Sequence, residues 1–597
     1  MNKSNLGILK YFLLFLLSLE CLSANASHIV GGEITWTCSG NGEYIFKVKL
    51  FKDCNGIPPP TVMSITTNAP GWSSGIPCNN ITTTDVSSTG PGCPTCANPA
   101  GQLSSILEVV YTSDPILIVG VPPIDGWYFY YVDCCRNAAV TNLSSLMTGN
   151  FTLRAFMYPF NGQNSNPCFD SSPQFAEHPV MSVNIGDHVS ISHTAFDYEL
   201  DSLTYDWALP FDGTTFPFVN CNYQTGYSYQ SPTPGHYQNP LNSPATIGVN
   251  SGIINFQSFS QGQFVLVTKV TSFKCGIKTA EVYREINILI KNNTTSASGN
   301  VSPIINGGLF EEDIFVLAGD TVFRNISSSD SDSLPVAYGG TAQTITLNAI
   351  SPHFGINDTS FISGCLFPPC ATMATPMPIS DTISVGSDFI FPTSCSQAGY
   401  SNGCLQHQRC FSFLFRFNDN NCPANGISSK ILNVYVTGPE IVASGNDLLI
   451  SYPGATYQWC LNGVPIPGAT NALFTPVSGG TYTVLTTTNA GCSMISNSVN
   501  RSVASVFALP GQERSVYVYP NPISSSRTLN VQLKDVIIGQ SVLFIYDNTG
   551  RRIKSVNAKL NTTTDMLVID ISDLAVGHYT LSFTDKLGEL TKSFVVE

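Results

Sequence analysis

The strongest fold signal is the stretch Leu529-Asn530-Val531-Gln532-Leu533-Lys534, in which apolar and polar side chains alternate. Similar runs follow it: Val542–Tyr546 leads into the turn Asp547-Asn548-Thr549-Gly550, and another run spans Met566–Ile571. Alternation with a period of two, bounded by Asn, Asp and Gly, is typical of half-buried antiparallel strands. The sequence therefore predicts a small all-β domain over residues 512–597.

The order of the short motifs in this segment is more specific than the alternation. Tyr519-Pro520-Asn521-Pro522 comes first, then a "ydxxGrxv" turn at Tyr546–Ile553, a "LxxGxY" element at Leu574–Tyr579, and a basic-then-apolar ending at Lys592–Glu597. This arrangement resembles the type A C-terminal sorting domain of type IX secretion substrates in Bacteroidetes-type bacteria. The resemblance implies that the segment is an address, read by the outer-membrane translocon and sorting machinery and then usually cleaved.

Composition limits the classes of function that remain. A chain of 597 residues is too long for one hydrophobic core, so several domains are expected. Only 11% of its residues are charged, against about 25% in an ordinary soluble protein. The net charge of −14 argues against a nucleic-acid partner, because phosphate binding needs a basic surface. Beyond the N-terminal segment, no apolar run is long enough to span a membrane.

Residues 1–26 have the pattern of a signal peptide. Lys3 and Lys10 supply the positive region, Tyr11–Leu19 the apolar region, and Ala24-Asn25-Ala26 a small-x-small cleavage site. The mature chain is expected to begin at Ser27.

Cysteine usage is consistent with export. The chain has 19 Cys, of which Cys21 lies in the signal peptide, and an even number of the rest predicts an oxidising compartment and a disulfide framework. Cys93-Pro94-Thr95-Cys96 has the spacing of a zinc or redox motif, but without a second such pair a structural disulfide role is favoured. Six further cysteines are expected to form three disulfides: Cys365, Cys370, Cys395, Cys404, Cys410 and Cys422.

The start of the mature chain carries a second resemblance. Ser27–Ile34 reads SHIVGGEI, a strand ends in Phe51-Lys52-Asp53-Cys54, and an aromatic strand, Gly126–Val132, precedes Asp133-Cys134-Cys135-Arg136-Asn137. This pattern is similar to the N-terminal region of large secreted Bacteroidetes surface proteins connected with gliding motility or adhesion. That family has Tyr-Arg where this chain has Phe51-Lys52. Although "IVGG" also begins trypsin-like proteases, the chain has no Gly-Asp-Ser-Gly nucleophile motif.

The predicted fold class is all-β, with tandem disulfide-stabilised β-sandwich domains of Ig-like or cadherin-like type. The segment 439–505 resembles a bacterial immunoglobulin-like repeat, in which Trp459 fits the buried aromatic of the central strand. The expected divisions are an N-terminal β domain with Cys-rich loops at 27–158, a β-sandwich at 159–291, a linker at 292–302, a Cys-rich β-sandwich at 303–438, the Ig-like domain at 439–505 and the sorting domain at 512–597.

One acidic motif is a candidate metal site. Asp197, Glu199 and Asp201 occupy alternate positions, so their oxygens could converge on a hard cation. The stretch resembles the "DxDxDxLxY" segment of cadherin-like and related bacterial sandwich repeats, and that resemblance implies calcium. Glu199 stands where the family has Asp. The alternative is that all three acids face solvent on an edge loop.

No catalytic motif is present: the chain lacks a Gly-x-Ser-x-Gly elbow, a His-Glu-x-x-His pair, a phosphate-binding loop and a dinucleotide fingerprint. The leading hypothesis is a non-enzymatic surface or secreted protein for adhesion or structural display, with glycans or surface proteins as ligands. Its expected contact surface includes Trp127, Tyr128 and Tyr130. A secreted hydrolase of polysaccharide or peptide, with catalytic acids distant in sequence, is the alternative. A spacer without any ligand is the third possibility.

Overall fold

The computed structural model describes residues 29–597, apart from residues 40–41, 100–104, 135, 138, 145–148, 162–167, 169, 214, 293–299, 335, 399–407, 446, 451–455, 489–490, 502–513, 525–526, 535, 537–538, 561–563 and 586–587. The predicted signal peptide and most of the predicted linker at 292–302 therefore lie outside the described residues. The chain divides into two compact units, Met1–Thr437 and Gly438–Glu597. The regular elements of both units are almost all strands, which confirms the all-β prediction.

One 11-stranded sheet dominates the first unit. The strands up to residue 291 are β1 Ile29–Cys38, β2 Tyr44–Asp53, β3 Val62–Thr67, β4 Ile76–Asp85, β5 Ile106–Ser113, β6 Trp127–Cys134, β7 Asn150–Met157, β8 Gln174–Phe175, β9 Ser182–Asn184, β10 His188–Ser192, β11 Ala195–Phe196, β12 Ser202–Trp207, β13 Phe211–Asp212, β14 Val219–Asn220, β15 Ser243–Ile247, β16 Ile253–Gln257, β17 Gly262–Lys274 and β18 Ile277–Lys291. The order β1-β2-β5-β4-β3-β6-β7-β18 returns to β1, because β1 also pairs with β18. The sheet is therefore closed on itself.

Two glycines explain how the sheet closes. Gly31 and Gly32 of β1 pair with Ile286 and Glu285 of β18 while also pairing with β2. A Cβ atom on Gly32 would lie 2.6 Å from the carbonyl oxygen of Lys49. Only glycine lets the backbones approach this closely. The Gly-Gly pair of the N-terminal motif is thus a packing requirement at the closure.

The closed sheet crosses the division that the sequence suggested at 158/159. β7 pairs with β18 at Ala280–Val282, and β18 pairs with β1 a few residues further on. Residues 27–158 and 159–291 consequently share one sheet, so this boundary does not separate two sandwiches. Alternation identifies strands, whereas their partners are set by contacts distant in sequence.

The inside of the closed sheet and the space beside it form separate cores. Trp36, Phe46 and Phe129 pack together inside, with ring centroids 4.6–6.1 Å apart. Beside it, the three-stranded sheet β10-β16-β15 packs on β17 and β18 through a second apolar cluster. This second layer positions the acidic motif, which follows β11.

Residues 304–437 form a sandwich of two sheets, ordered β19-β21-β25-β23 and β20-β27-β26-β22-β24. The elements are β19 Ile304–Ile305, β20 Glu311–Leu317, β21 Thr321–Ser329, β22 Thr344–Ile350, β23 Thr372–Met373, β24 Ile379–Thr382, β25 Ser384–Pro392, the short helix α1 Cys395–Ala398, β26 Gln408–Asn418 and β27 Ile427–Thr437, with 3₁₀ turns at Val336–Tyr338 and Ile356–Asp358. The alternating strand β26 turns Phe411, Phe413 and Phe415 inward, where all three are fully buried.

Disulfides join distant parts of the first unit. The described pairs are Cys38–Cys168, Cys54–Cys96, Cys93–Cys422 and Cys365–Cys370. Cys93 and Cys96 therefore have the predicted disulfide role, each with a different partner. The prediction of three disulfides among the six later cysteines is wrong, because Cys422 pairs outside that group and Cys410 has a free thiol.

The second unit contains two pairs of sheets: β28-β29-β32 with β31-β30-β33-β34, where β35 joins β33, and β36-β37-β40 with β39-β38-β41-β42. The strands are β28 Ile441–Ser444, β29 Asp447–Ile450, β30 Thr456–Leu461, β31 Val464–Pro465, β32 Leu473–Phe474, β33 Gly480–Thr487, β34 Ser493–Ile495, β35 Val499–Arg501, β36 Ser515–Tyr519, β37 Thr528–Lys534, β38 Gly539–Asp547, β39 Arg552–Leu560, β40 Thr564–Asp570, β41 Gly577–Asp585 and β42 Gly588–Val596. Trp459 is fully buried and stacks on Phe474, which confirms its predicted role.

Candidate functional site

The acidic motif forms a tight turn between β11 and β12. Asp197 Oδ1 accepts hydrogen bonds from the backbone N–H groups of Glu199 and Asp201, each at 3.0 Å. Leu200 lies between them in the left-handed conformation, with φ of 61°. The Asp197 carboxylate thus holds the turn, and Asp197 itself is buried rather than facing solvent.

Two residues distant in sequence complete this carboxylate cluster. Asp170, which is fully buried, lies with its Oδ1 atom 3.1 Å from Lys274 Nζ. The same Nζ donates to Asp201 Oδ1 at 2.8 Å. Glu199 Oε1 accepts from the Ser171 N–H and hydroxyl, at 3.2 and 2.9 Å. The carboxylate cluster is therefore Asp170, Asp197, Glu199 and Asp201, with Lys274 as its cation.

Lys274 is the cation that the described residues place in the carboxylate cluster, and burial among like charges favours the protonated, neutral form of the remaining carboxyl groups. Burial first, and then the neighbouring carboxylates, raise the pKa of Asp170 to about 8 and that of Asp197 well above its ordinary value. Burial also raises the pKa of Glu199. Burial alone would lower the pKa of Lys274. The neighbouring carboxylates of Asp170 and Asp201 outweigh burial, so the pKa of the ammonium group is raised.

Each of the four carboxylates keeps one oxygen with neither a hydrogen bond nor an ion pair from the described part of the chain, and Asp170 Oδ1 has the Lys274 ion pair alone. The four unpaired atoms are Asp170 Oδ2, Asp197 Oδ2, Glu199 Oε2 and Asp201 Oδ2, all of them buried. Buried polar atoms are normally satisfied, so this concentration of unpaired oxygens is unusual. An all-oxygen set of carboxyl groups is the donor chemistry that calcium prefers. Among the described residues, however, no three Asp, Glu, His or Cys side chains are already grouped around one metal position.

The aromatic residues proposed as a contact surface divide between core and exterior. Trp127 belongs to the core of the closed sheet, and Tyr130 is also buried, so that part of the prediction is wrong. Tyr128 points outward instead, half-buried, and stacks on the exposed ring of Phe216 with centroids 4.5 Å apart. Alternation along β6 explains Trp127, since residues 127 and 129 face inward. Tyr130 lies on the same side as Tyr128 but packs against Phe218, with ring centroids 4.8 Å apart.

Tyr128 is part of a larger aromatic face on the outer side of β6 and β7. Phe156 is directly opposite Tyr128 in the ladder, and its ring stacks on Tyr158. Lys278 Nζ lies 3.7 Å from the centre of the Tyr158 ring, and its charge is shared with Glu281. We call Tyr128, Phe156, Tyr158 and Phe216 the aromatic face. It combines half-exposed rings with polar groups at the rim.

The first unit also contains a cleft of about 420 Å³ that holds two carboxylates, Asp85 and Glu108. Glycoside hydrolysis needs one carboxyl group to remain protonated as the acid. Burial would raise the pKa of Asp85, but hydrogen bonds from Ser87 and the Cys96 N–H outweigh burial and lower it. Asp85 is therefore held ionised and does not suit the role of general acid.

The C-terminal motifs each have a structural role in the described fold. In the turn after β38, Asp547 Oδ1 accepts from the N–H groups of Thr549 and Arg551. In the "LxxGxY" element, Leu574 is buried and the Tyr579 hydroxyl donates to the Ala575 carbonyl at 2.9 Å. Tyr579 also stacks on Phe594 of the last strand. The motifs thus close the turns of one two-layered β domain.

Comparison with known proteins identifies this domain. Residues 517–597 match the family described as secretion system C-terminal sorting domain. No curated protein matches the chain in sequence. Within the described residues, no helix is long and apolar enough to cross a membrane.

Solved structures resemble the chain only loosely. The BSP domain of a biofilm associated protein is 10% identical, with 96% of each chain covered and a TM-score of 0.16. The titin I-band fragment I67-I69 is also 10% identical, covering 71% of this chain and 97% of that one, with a TM-score of 0.15. The four N-terminal Ig domains of Dscam1 isoform 1.9 are 10% identical, covering 72% and 100%, with a TM-score of 0.13. Scores this low carry no argument about function.

The sorting prediction is therefore confirmed. Residues 517–597 are a C-terminal sorting domain of the type IX secretion system, and the chain that carries them is exported, to be attached to the cell surface or released.

Proposed function

We propose that this protein serves adhesion or structural display outside the cell, with the first unit presenting the aromatic face to a ligand. The observation that carries the proposal is the half-exposed Tyr128–Phe216 stack on the outside of the closed sheet. Large rings left at a surface mark interaction sites more often than isolated aliphatic residues do. The disulfides support an extracellular role, because they stabilise the unit in an oxidising environment.

Glycans are the proposed ligand class. The outward row of rings, Tyr128, Phe156 and Tyr158, offers flat apolar surface, while the exposed ammonium group of Lys278 supplies a polar group at its rim. A pyranose ring has the same combination of an apolar face and hydroxyl edges. The proposal includes no catalysis.

Tyr128→Ala with Phe216→Ala is expected to weaken binding of the purified mature chain to its best glycan on an array by about tenfold or more. The control is Phe323→Ala, an equally drastic change at an exposed ring elsewhere in the unit. Unchanged affinity in the double variant would reject the aromatic face as the binding surface. Turnover of a glycan or peptide by the wild type would favour the hydrolase, and no binding at all would favour the spacer.

We also propose that the carboxylate cluster takes up a calcium ion. Support comes from the four buried carboxylate oxygens without hydrogen bonds, for which Lys274 alone does not compensate. When bound, the ion would supply positive charge to Asp170, Asp197, Glu199 and Asp201. Its role would be structural, since these side chains hold the turn between β11 and β12.

Millimolar calcium is expected to raise the unfolding temperature of the first unit, with a stabilisation of about 2 kcal/mol or more at saturation. Differential scanning calorimetry in calcium and in EDTA measures it. Asp201→Asn with Glu199→Gln should abolish the increase, whereas Asp381→Asn, at an exposed acid, should not. If wild type melts at the same temperature in both buffers, Lys274 is the sole cation of the cluster and the calcium proposal fails.

A further inference from the structure

The sorting domain has one sheet whose outer face has an uncharged, largely apolar centre, with Lys534 in the row at one end and Asp570 in the row at the other. On β36, β37 and β40, two cross-strand rows point outward: Tyr517–Gln532–Met566 and Tyr519–Asn530–Val568. The four large side chains are exposed by 52% for Tyr517, 42% for Tyr519, 61% for Met566 and 62% for Val568. The residues between them along each strand turn inward, and Leu529, Val531 and Leu533 are fully buried. We call these six outward residues the β36-β37-β40 face.

The side chains of this face are held in place although they lie at the surface. The Tyr519 hydroxyl donates to the Met566 sulfur at 3.2 Å, and Asn530 Nδ2 donates to the Tyr519 carbonyl at 3.1 Å. The two central positions are the uncharged amides Asn530 and Gln532. The six residues thus form an ordered surface without any charged side chain.

The second sheet of the domain differs clearly. Its outer positions on β39, β41 and β42 are mostly polar: Ser555, Asn557, Thr580, Thr584, Thr591 and Ser593. Ile553, exposed by 38%, is the large apolar exception on β39. Its outward aromatic rings are only half-exposed, and Arg552 lies over the ring of Phe544 at 5.2 Å. The apolar exposure of the domain is therefore concentrated on one face. Contiguous exposed apolar surface on a soluble domain marks an interaction site.

We propose that the β36-β37-β40 face is the surface by which the sorting domain docks on the type IX sorting machinery. This inference rests on the assignment of residues 517–597 as a sorting domain. It adds the surface of that domain that the sorting machinery recognises. The partner is a neutral, apolar surface of the outer-membrane machinery, because a charged receptor surface would lose hydration against the two uncharged rows without gaining an ion pair. The matched family segment begins at Tyr517, so both rows lie inside the domain that carries the address.

The test measures export of the full chain from a bacterium with a working type IX system. Met566→Thr with Val568→Thr places a β-branched residue, which favours strands, at both positions of β40 but makes the face polar. Export, measured by immunoblotting of surface and medium against periplasm, is expected to fall about tenfold, with uncleaved chain retained in the periplasm. Tyr517→Thr, on another strand of the same face, should reduce export in the same direction.

The matched control is Val464→Thr with Val477→Thr, which makes two exposed valines of the Ig-like segment polar. It should be exported like wild type. Export of both face variants at the wild-type level would overturn the proposal. Wild-type export that persists after deletion of the translocon would overturn the sorting route and this proposal with it. Normal sorting without glycan binding would reject the adhesion function alone.

Discussion

Arg284→Met is expected to lower the free energy of unfolding of the first unit by about 4 kcal/mol. Arg284 is fully buried, and its Nε–H donates to Glu33 Oε2. Its Nη2 donates to the Glu177 carbonyl at 2.9 Å, and the guanidinium lies 3.8 Å from the centre of the Phe175 ring. Without it, the one cation that the described residues leave beside the buried Glu33 carboxylate is Lys49, at 3.9 Å. Urea unfolding followed by tryptophan fluorescence measures the loss.

A paired variant separates the cost of an unpaired charge from the cost of lost packing. Glu33→Gln with Arg284→Met removes both charges, so it should be less destabilising than Arg284→Met alone. Arg324→Met breaks the exposed pair with Glu312 and should cost no more than about 0.5 kcal/mol. If the single and paired Arg284 variants lose equal stability, the stranded carboxylate is not the cause. The double-mutant cycle gives the coupling directly.

Local patterns in the sequence were sufficient to predict the strands. Leu529, Val531 and Leu533 alternate with polar residues, and the structure buries all three in the sorting domain. Trp459 was predicted as a core residue from its position in an Ig-like strand, and it is fully buried. These predictions succeed because a strand with one solvated face leaves a period of two in its own sequence.

The pairing of distant strands was not predictable in the same way. Nothing in the alternation of β1 indicates that Gly32 pairs with Glu285, more than 250 residues later. Gly31-Gly32 was the available signal, since adjacent glycines inside a strand indicate close backbone approach. The Cys93–Cys422 disulfide joins residues even further apart, with a separation of 329 residues.

Only part of the candidate site was predictable, because some of its residues are distant in sequence. Asp197, Glu199 and Asp201 occupy alternate positions of one short stretch, so the sequence alone was enough to group them as a motif. Asp170 and Lys274 come from other segments, and only the fold brings them to the carboxylate cluster. Trp127 was assigned to the wrong side because an aromatic run does not by itself show which alternate residues face the core.

Gly32→Ala is the second change with a large expected effect, with a loss of about 3 kcal/mol or more in the free energy of unfolding of the first unit. The new Cβ would lie 2.6 Å from the Lys49 carbonyl oxygen and 2.7 Å from Leu153 Cδ1. The Leu153 side chain could rotate, but the carbonyl belongs to β2 and cannot move without loosening the ladder to β1. Because β1 also pairs with β18, the strain falls on the strand that closes the sheet.

Gly235→Ala is the matched control, because its Cβ would meet only Pro244 side-chain atoms at 3.6 and 3.9 Å, an ordinary contact. Its effect should stay within about 1 kcal/mol, since it changes chiefly the entropy of the unfolded chain. Equal losses in the two variants would show that the cost of Gly32→Ala is a general effect of replacing glycine, and that it does not come from crowding of the new Cβ at the closure. A selective loss at Gly32, together with faster hydrogen exchange in both β1 and β18, would show that the closure joins the two halves of this sheet into one cooperative unit.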